Sequence, residues 1–229
     1  LKDATHDGGN WTMFKNLINK YGIIPKSEMN DHYHSKSSKQ LANFLNNYLR
    51  KSSKELRESK NININELKEK IMETCYKILI FFLGEPPSKI SWEFYDKKNN
   101  YNKLIENITP QEFYKKFVPY NVNSKVLLIN YPCKKFYNLY NVDMTFRMDD
   151  NKENYINVPI EIMISAVEKS IKNNEAIYIG VDWNKYISQQ HGFLDQNGFN
   201  YNDVFGFNND MSKCDNLKYR SSYPNHTIL

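Results

Sequence analysis

The chain has no apolar run long enough to cross a bilayer as a helix, which takes about 18 to 20 residues. Its longest, residues 78–83, has six among 229, which excludes a helical membrane span for this region. Cysteine is scarce. Cys75, Cys133 and Cys214 lie far apart and match neither a C-x-x-C motif nor a Cys/His metal spacing, so a zinc ribbon and a disulfide-dense scaffold are excluded. Thiols so few and so dispersed point to a reducing compartment. Glycine and proline number only eight each, which rules out a collagen-like chain. One-sided charge is missing too: 31 Lys and Arg against 26 Asp and Glu leave +5, with the signs alternating as at Lys54-Glu55. That balance is too small and dispersed to mark a nucleic-acid protein. There is neither an initiator Met nor a charged-then-apolar leader; the chain opens Leu1-Lys2-Asp3-Ala4-Thr5 and is expected to be a fragment.

What is present suits a packed protein of one large or two small domains. Hydrophobic residues make up 40% and aromatic residues 14%, and the mean hydropathy of -0.72 lies on the polar side of globular chains. Phe14, Leu17, Ile18 and Tyr21 recur at helical spacing, with Gly22 placed to cap and Pro25 to stop a helix. Leu41, Phe44, Leu45, Tyr48 and Leu49 predict a second helix over residues 41–57. Leu67, Ile71, Thr74, Ile78 and Phe82 predict a third, ended by Gly84 and Pro86-Pro87, with residues 78–83 buried on most sides.

Trp92, Phe94 and Tyr95 read as a strand entering a hairpin around residues 97–100. Thr109-Pro110-Gln111-Glu112 carries the marks of a helix start, because Thr can cap, Pro fits the first turn and Glu can reach back to the cap. Residues 126–129 and 176–181 read as strands. Between them Pro159 opens a helix striped by Ile160, Met163, Ile164, Val167 and Ile171, and residues 197–209 read as loop with short ordered pieces. Asn is abundant, which we read as compositional drift at exposed positions.

Several residues are candidates for chemistry. His32 and His34 form an H-x-H pair able to hold a metal, but no third ligand follows at a recognised spacing and a polar surface turn accounts for them. His191 sits in a polar loop, and Asp149-Asp150 lie in a charged segment that reads as solvated surface. Asp182 follows a strand, where a turn or a structural hydrogen bond explains it as well as a catalytic role does. Cys75 falls on an apolar helix face, which raises a thiol pKa and leaves it inert. Cys133 precedes Lys134-Lys135, yet no His is near it in sequence. Lys134-Lys135-Phe136-Tyr137 interleaves cations with rings, as single-stranded nucleic-acid platforms do and as ordinary snorkelling surfaces also do. Gly8-Gly9 precedes a helix where bare backbone permits another chain to approach, or simply makes a turn. His226 follows Tyr223-Pro224-Asn225 at the lip of a short apolar stretch.

Taken in order, certain blocks resemble the bleomycin hydrolase and aminopeptidase C branch of the papain-like cysteine peptidases. They are Asp7-Gly8-Gly9-Asn10-Trp11, Lys20-Tyr21-Gly22-Ile23-Ile24-Pro25-Lys26, Leu83-Gly84-Glu85-Pro86-Pro87, Trp92-Glu93-Phe94-Tyr95-Asp96-Lys97, Ile108-Thr109-Pro110-Gln111-Glu112-Phe113-Tyr114 and Tyr137-Asn138-Leu139-Tyr140. The resemblance covers essentially the whole chain and implies an α+β fold. Residues 1–30 would end the papain-like helical lobe, 31–150 would form the branch's helical insertion, and 151–229 would begin the β-rich lobe.

It also implies chemistry: a thiolate attacks a peptide carbonyl after a His has taken its proton. By position His226 resembles that catalytic His. Gly8 and Gly9 resemble the rail that binds substrate backbone, and Gly180 and Asn225 line the cleft by looser analogy. The family's nucleophilic Cys and oxyanion-hole Gln lie upstream of the Gly-Gly block, and its orienting Asn lies downstream of the His. None of the three cysteines matches the nucleophile, so this chain alone is expected to be inactive. Asn10 stands where the branch usually has Gln. The resemblance further implies peptide substrates trimmed from the amino terminus, a cytoplasmic homohexamer and no cofactor. A non-catalytic scaffold that binds nucleic acid or protein is the alternative.

Overall fold

In the computed structural model, which describes residues 5, 9–59, 63–95, 98, 101–142, 153–208 and 210–228, the first helix begins at a side-chain cap. The Met13 amide donates to Asn10 Oδ1 at 2.9 Å and so starts α1 (Trp11–Tyr21). Gly22 ends it at φ 76°, its amide returning to the Ile18 carbonyl. A Cβ at Gly22 would run into the backbone of Pro110 and Gln111, so both conformation and space require glycine there.

A short helix α2 (Tyr33–Lys36) leads into the long pair α3 (Lys39–Glu58) and α4 (Ile64–Leu83). Leu41, Leu45, Ile71 and Cys75 form the buried seam between that pair. Helix α4 meets α3 along one face and the short α2 near its end, which leaves the rest of its surface open. The run 78–83 accordingly departs from expectation: none of it is fully buried, and Phe81 is 84% exposed.

The expected hairpin is present. Strands β1 (Ile90–Tyr95) and β2 (Tyr101–Ile108) pair antiparallel, Ile90 facing Ile108 and Trp92 facing Ile105. Next, α5 (Pro110–Phe117) starts with a complete capping box: the Glu112 amide donates to Thr109 Oγ1, and the Thr109 amide donates to the Glu112 carboxylate at 3.0 Å. Phe113 buries its ring against Ile90 and Ile108.

These elements make up the first of two compact units, Leu1–Asn123; the second is Ser124–Leu229. Its central sheet has β5 (Glu153–Asn157) in the middle, with β3 (Leu127–Ile129) parallel on one side and β4 (Leu139–Val142) antiparallel on the other. The exit of β5 is held by Asn157, which is completely buried. Helix α6 (Ile160–Lys172) follows Pro159 as predicted, with Ile160, Ile164 and Ile171 on its stripe exposed. The strand predicted over residues 176–181 shortens to β6 (Ile179–Val181). A small hairpin, β7 (Ile187–Ser188) with β8 (Phe193–Leu194), precedes two short helices, α7 (Tyr201–Phe205) and α8 (Lys213–Lys218). The last strand, β9 (His226–Ile228), pairs antiparallel with β6.

One cysteine expectation is corrected here. Cys133 and Cys214, 81 residues apart in sequence, form a disulfide across a Cα–Cα distance of 5.4 Å. Sequence spacing carried no sign of it, because the fold rather than the chain brings the loop after β3 against α8. Cys75 remains a free, buried thiol.

Candidate active site

The candidate site in the second unit is built where β9 meets β6. Ile179, Val181, Thr227 and Ile228 are β-branched, which favours an extended pair of short strands. Pro224, with no amide hydrogen to donate, lies just before the ladder. The register sets Val181 opposite His226, Gly180 opposite Thr227 and Ile179 opposite Ile228. The Asn225 amide adds one more backbone bond, donating to the Val181 carbonyl at 3.0 Å.

Gly180 is exposed, and its backbone needs no special conformation. A Cβ placed there would sit 3.8 Å from the Pro224 Cβ, an ordinary contact, so packing among the described residues gives no reason for glycine. The same holds for Gly9, exposed just ahead of the α1 cap, where a Cβ would meet only the Met13 sulfur at 4.0 Å. Gly180, Asn225 and His226 thus stand together, Gly9 belongs to the first unit, and Gly8 lies outside the described residues, as do Asp149 and Asp150.

Asn225 has a defined task. Its Oδ1 accepts from the Trp183 amide at 3.0 Å and the Asn184 amide at 3.2 Å, while its Nδ2 donates to Asp182 Oδ1 at 2.6 Å. The other oxygen of Asp182 accepts from the Ser222 hydroxyl at 2.6 Å. The sequence left Asp182 open between a turn residue and a functional one. Ser222 carried no signal, because 40 residues separate it from Asp182 and no periodicity links them.

The approach to His226 is anchored further back. Asn216 on α8 is buried, donates to the Met211 and Ser212 carbonyls, and accepts from Lys185 Nζ at 2.9 Å. Lys213 reaches Asn130 at 2.8 Å, and burial holds its ammonium below the usual lysine range. With the Cys133–Cys214 disulfide, these contacts bind α8 to the loop after β3 and to the segment after β6.

The remaining candidates have structural surroundings. Burial pushes the Cys75 thiol up, as expected of its helix face. Cys133 is disulfide-bonded, which removes it as a nucleophile. His34 sits edge-on to Phe82, with ring centroids 4.5 Å apart. His191 shares a hydrogen bond with Ser188 at 3.1 Å. Among the described residues no group of three or more His, Cys, Asp or Glu side chains is arranged to hold a metal ion. No described helix is long and apolar enough to cross a membrane.

The chain as a whole is similar to known proteins. The sequence model of the Peptidase C1-like family matches residues 1–229. Bleomycin hydrolase of Mus musculus is 31% identical over all of this chain and 52% of its own length. Aminopeptidase C of Listeria monocytogenes is 31% identical over all of this chain and 53% of its own length. The crystal structure of PepW from Lactobacillus rhamnosis superposes with a TM-score of 0.84 at 33% identity, covering 97% of this chain and 52% of that one. The chain therefore spans about half the length of the relatives it matches, and its mixed helix and sheet architecture is the papain-like one expected from sequence. The chain belongs to the Peptidase C1-like family.

Proposed function

We propose that this chain supplies the imidazole and part of the substrate rail of a cysteine aminopeptidase related to bleomycin hydrolase. The observation that carries the reading is His226 at the head of β9, in register with Val181 and beside the open-faced Gly180, in a chain of the Peptidase C1-like family. The His226 imidazole takes the proton of a cysteine thiol, and the thiolate adds to the carbonyl carbon of the peptide bond. The resulting imidazolium returns that proton to the leaving amine as the C–N bond breaks. Water, deprotonated by the same imidazole, then releases the acyl group from sulfur.

The nucleophile is a cysteine outside residues 1–229, because Cys75 is buried and Cys133 and Cys214 are joined to each other. Gly8 and Gly9 serve as backbone rail for an extended peptide, with Gly180 and Asn225 at the cleft wall. Residues 31–150 form the helical insertion between two catalytic lobes. The whole enzyme is a homohexamer that trims residues from peptide amino termini. In the scaffold alternative the exposed Lys134, Lys135 and Tyr137 would meet nucleic acid or protein.

Cytoplasmic placement is the part of the proposal that the disulfide tests. A cytosolic pool would carry Cys133 and Cys214 as thiols, and peptide mapping after alkylation of native extracts reads this directly. Catalysis is tested in the full-length protein with an aminoacyl fluorogenic amide. Turnover blocked by a thiol alkylator and lost in H226A is the expected result; full turnover in H226A refutes the reading.

A further inference from the structure

We infer that Asp182 is a positioning residue for His226, acting through Asn225 and Ser222; the inference rests on the reading of His226 as the catalytic imidazole. The β6–β9 register opens with the Val181–His226 pair, so the ladder holds His226 from the β9 side only and whatever precedes it must be held by other contacts. What stiffens the entry is the side-chain network just ahead of it. Both carboxylate oxygens of Asp182 are engaged, Oδ1 by Asn225 Nδ2 and Oδ2 by Ser222 Oγ, each at 2.6 Å. Charge-assisted bonds of this length are the strong class.

The network also has a polarity. Asn225 offers its oxygen to two backbone amides, those of Trp183 and Asn184, which turns its NH2 end the other way, where an acceptor satisfies it. Asp182 is that acceptor. Its own backbone lies between Val181, which pairs with His226, and Trp183, which donates to Asn225. One residue therefore joins the strand end, the side chain preceding the imidazole and the Ser222 turn. A plain turn cap would need only one of these bonds and would not depend on which end of residue 225 is the donor.

The experiment uses the full-length protein carrying this segment and its nucleophilic cysteine. D182N keeps size but replaces one acceptor by a donor. We expect kcat to fall about 10- to 100-fold with KM within about threefold, as for a displaced catalytic group. Alkylation of the nucleophile by iodoacetamide at neutral pH should slow in parallel, because a misplaced imidazole no longer holds the thiolate. The exchanged pair D182N/N225D reverses the donor and acceptor, satisfies the same partners and should restore most of kcat. Should D182N fail to fold, S222A removes one arm only and is expected to lower kcat roughly fivefold.

Wild-type kcat and alkylation rate in D182N, with H226A inactive, overturn the inference. So does a loss of kcat in D182N that the exchanged pair does not recover. Full turnover in H226A overturns the underlying assignment of the imidazole instead, whatever D182N does.

Discussion

Asn157 offers the sharpest test of how the second unit is held together. Its side chain is completely buried at the exit of β5. Its Oδ1 accepts from the Tyr131 amide at 2.7 Å, and its Nδ2 faces the carbonyls of Tyr131, Lys134 and Lys135 at 2.9, 3.1 and 3.2 Å. An NH2 group has two hydrogens, so these contacts amount to about three full hydrogen bonds, each worth roughly 1 to 1.5 kcal/mol net. Asn157→Ala removes them and strands the Tyr131 amide away from water, for a loss of about 3 to 5 kcal/mol. Hydrogen exchange by mass spectrometry on the full-length protein checks this locally: protection of peptides covering residues 131–137 should drop by about two to four orders of magnitude. Asn157→Asp adds a sign. A buried carboxylate facing carbonyls has its pKa raised, so the folded state binds the extra proton more tightly than the unfolded state does. The variant should be closest to wild type below the ordinary Asp pKa, about 4, and should lose stability as pH rises through the raised value. Unchanged protection in the Ala variant, or an Asp variant that is more stable at neutral than at acid pH, refutes the reasoning.

Two further outcomes are expected. Closing a loop of 81 residues, the Cys133–Cys214 bond should contribute about 4 kcal/mol by constraining the unfolded chain, so C133S/C214S should lower Tm by about 10 °C and reductant should lower the wild type equally; equal melting of the oxidised, reduced and double-variant proteins counts against the bond. The Glu112 carboxylate is held below its usual range, first by the Thr109 amide and then by the Thr109 hydroxyl. Its stabilisation is therefore present above the unfolded value of 4.5 and lost as pH falls through the lowered one. Destabilisation by E112A, followed by thermal melts, should shrink as pH falls below the unfolded value of 4.5; a gap that widens there contradicts the capping box.

Local signals were legible in the sequence because the partners lie within one or two turns of each other. Gly22 after Tyr21, the Thr109-Pro110-Gln111-Glu112 box and the β1–β2 hairpin are read from spacings of a few residues, and each stands in the structure. Burial was less legible. Whether Phe81 or Ile164 is covered depends on what lies across from it, which periodicity cannot report. The candidate site was legible only through resemblance. Val181 and His226 are set opposite each other, with Gly180 next along the ladder, by pairing strands that 44 intervening residues keep apart in sequence.

The asparagines show where a compositional argument stops. Abundance alone suggests drift at exposed positions, yet Asn16, Asn157 and Asn216 are buried, and Asn225 is tied at both ends of its amide. The physical reason is that Asn carries a donor and an acceptor on a short stem without charge, so it can bridge backbone groups of two segments with little desolvation penalty. In the second unit Asn157 does this for the loop after β3 and Asn225 for the start of β9, while Asn216 closes the start of α8 onto the Met211 and Ser212 carbonyls. Asn157 thereby ties residues 131–135 to the end of β5, and Asn225 ties residues 182–184 to the segment just ahead of β9. A sequence rich in Asn thus hides its structural asparagines among solvated ones, and only the count of satisfied buried amide groups separates them. Replacing surface Asn should be nearly silent, while the bridging positions should each cost a cooperative unit of the fold.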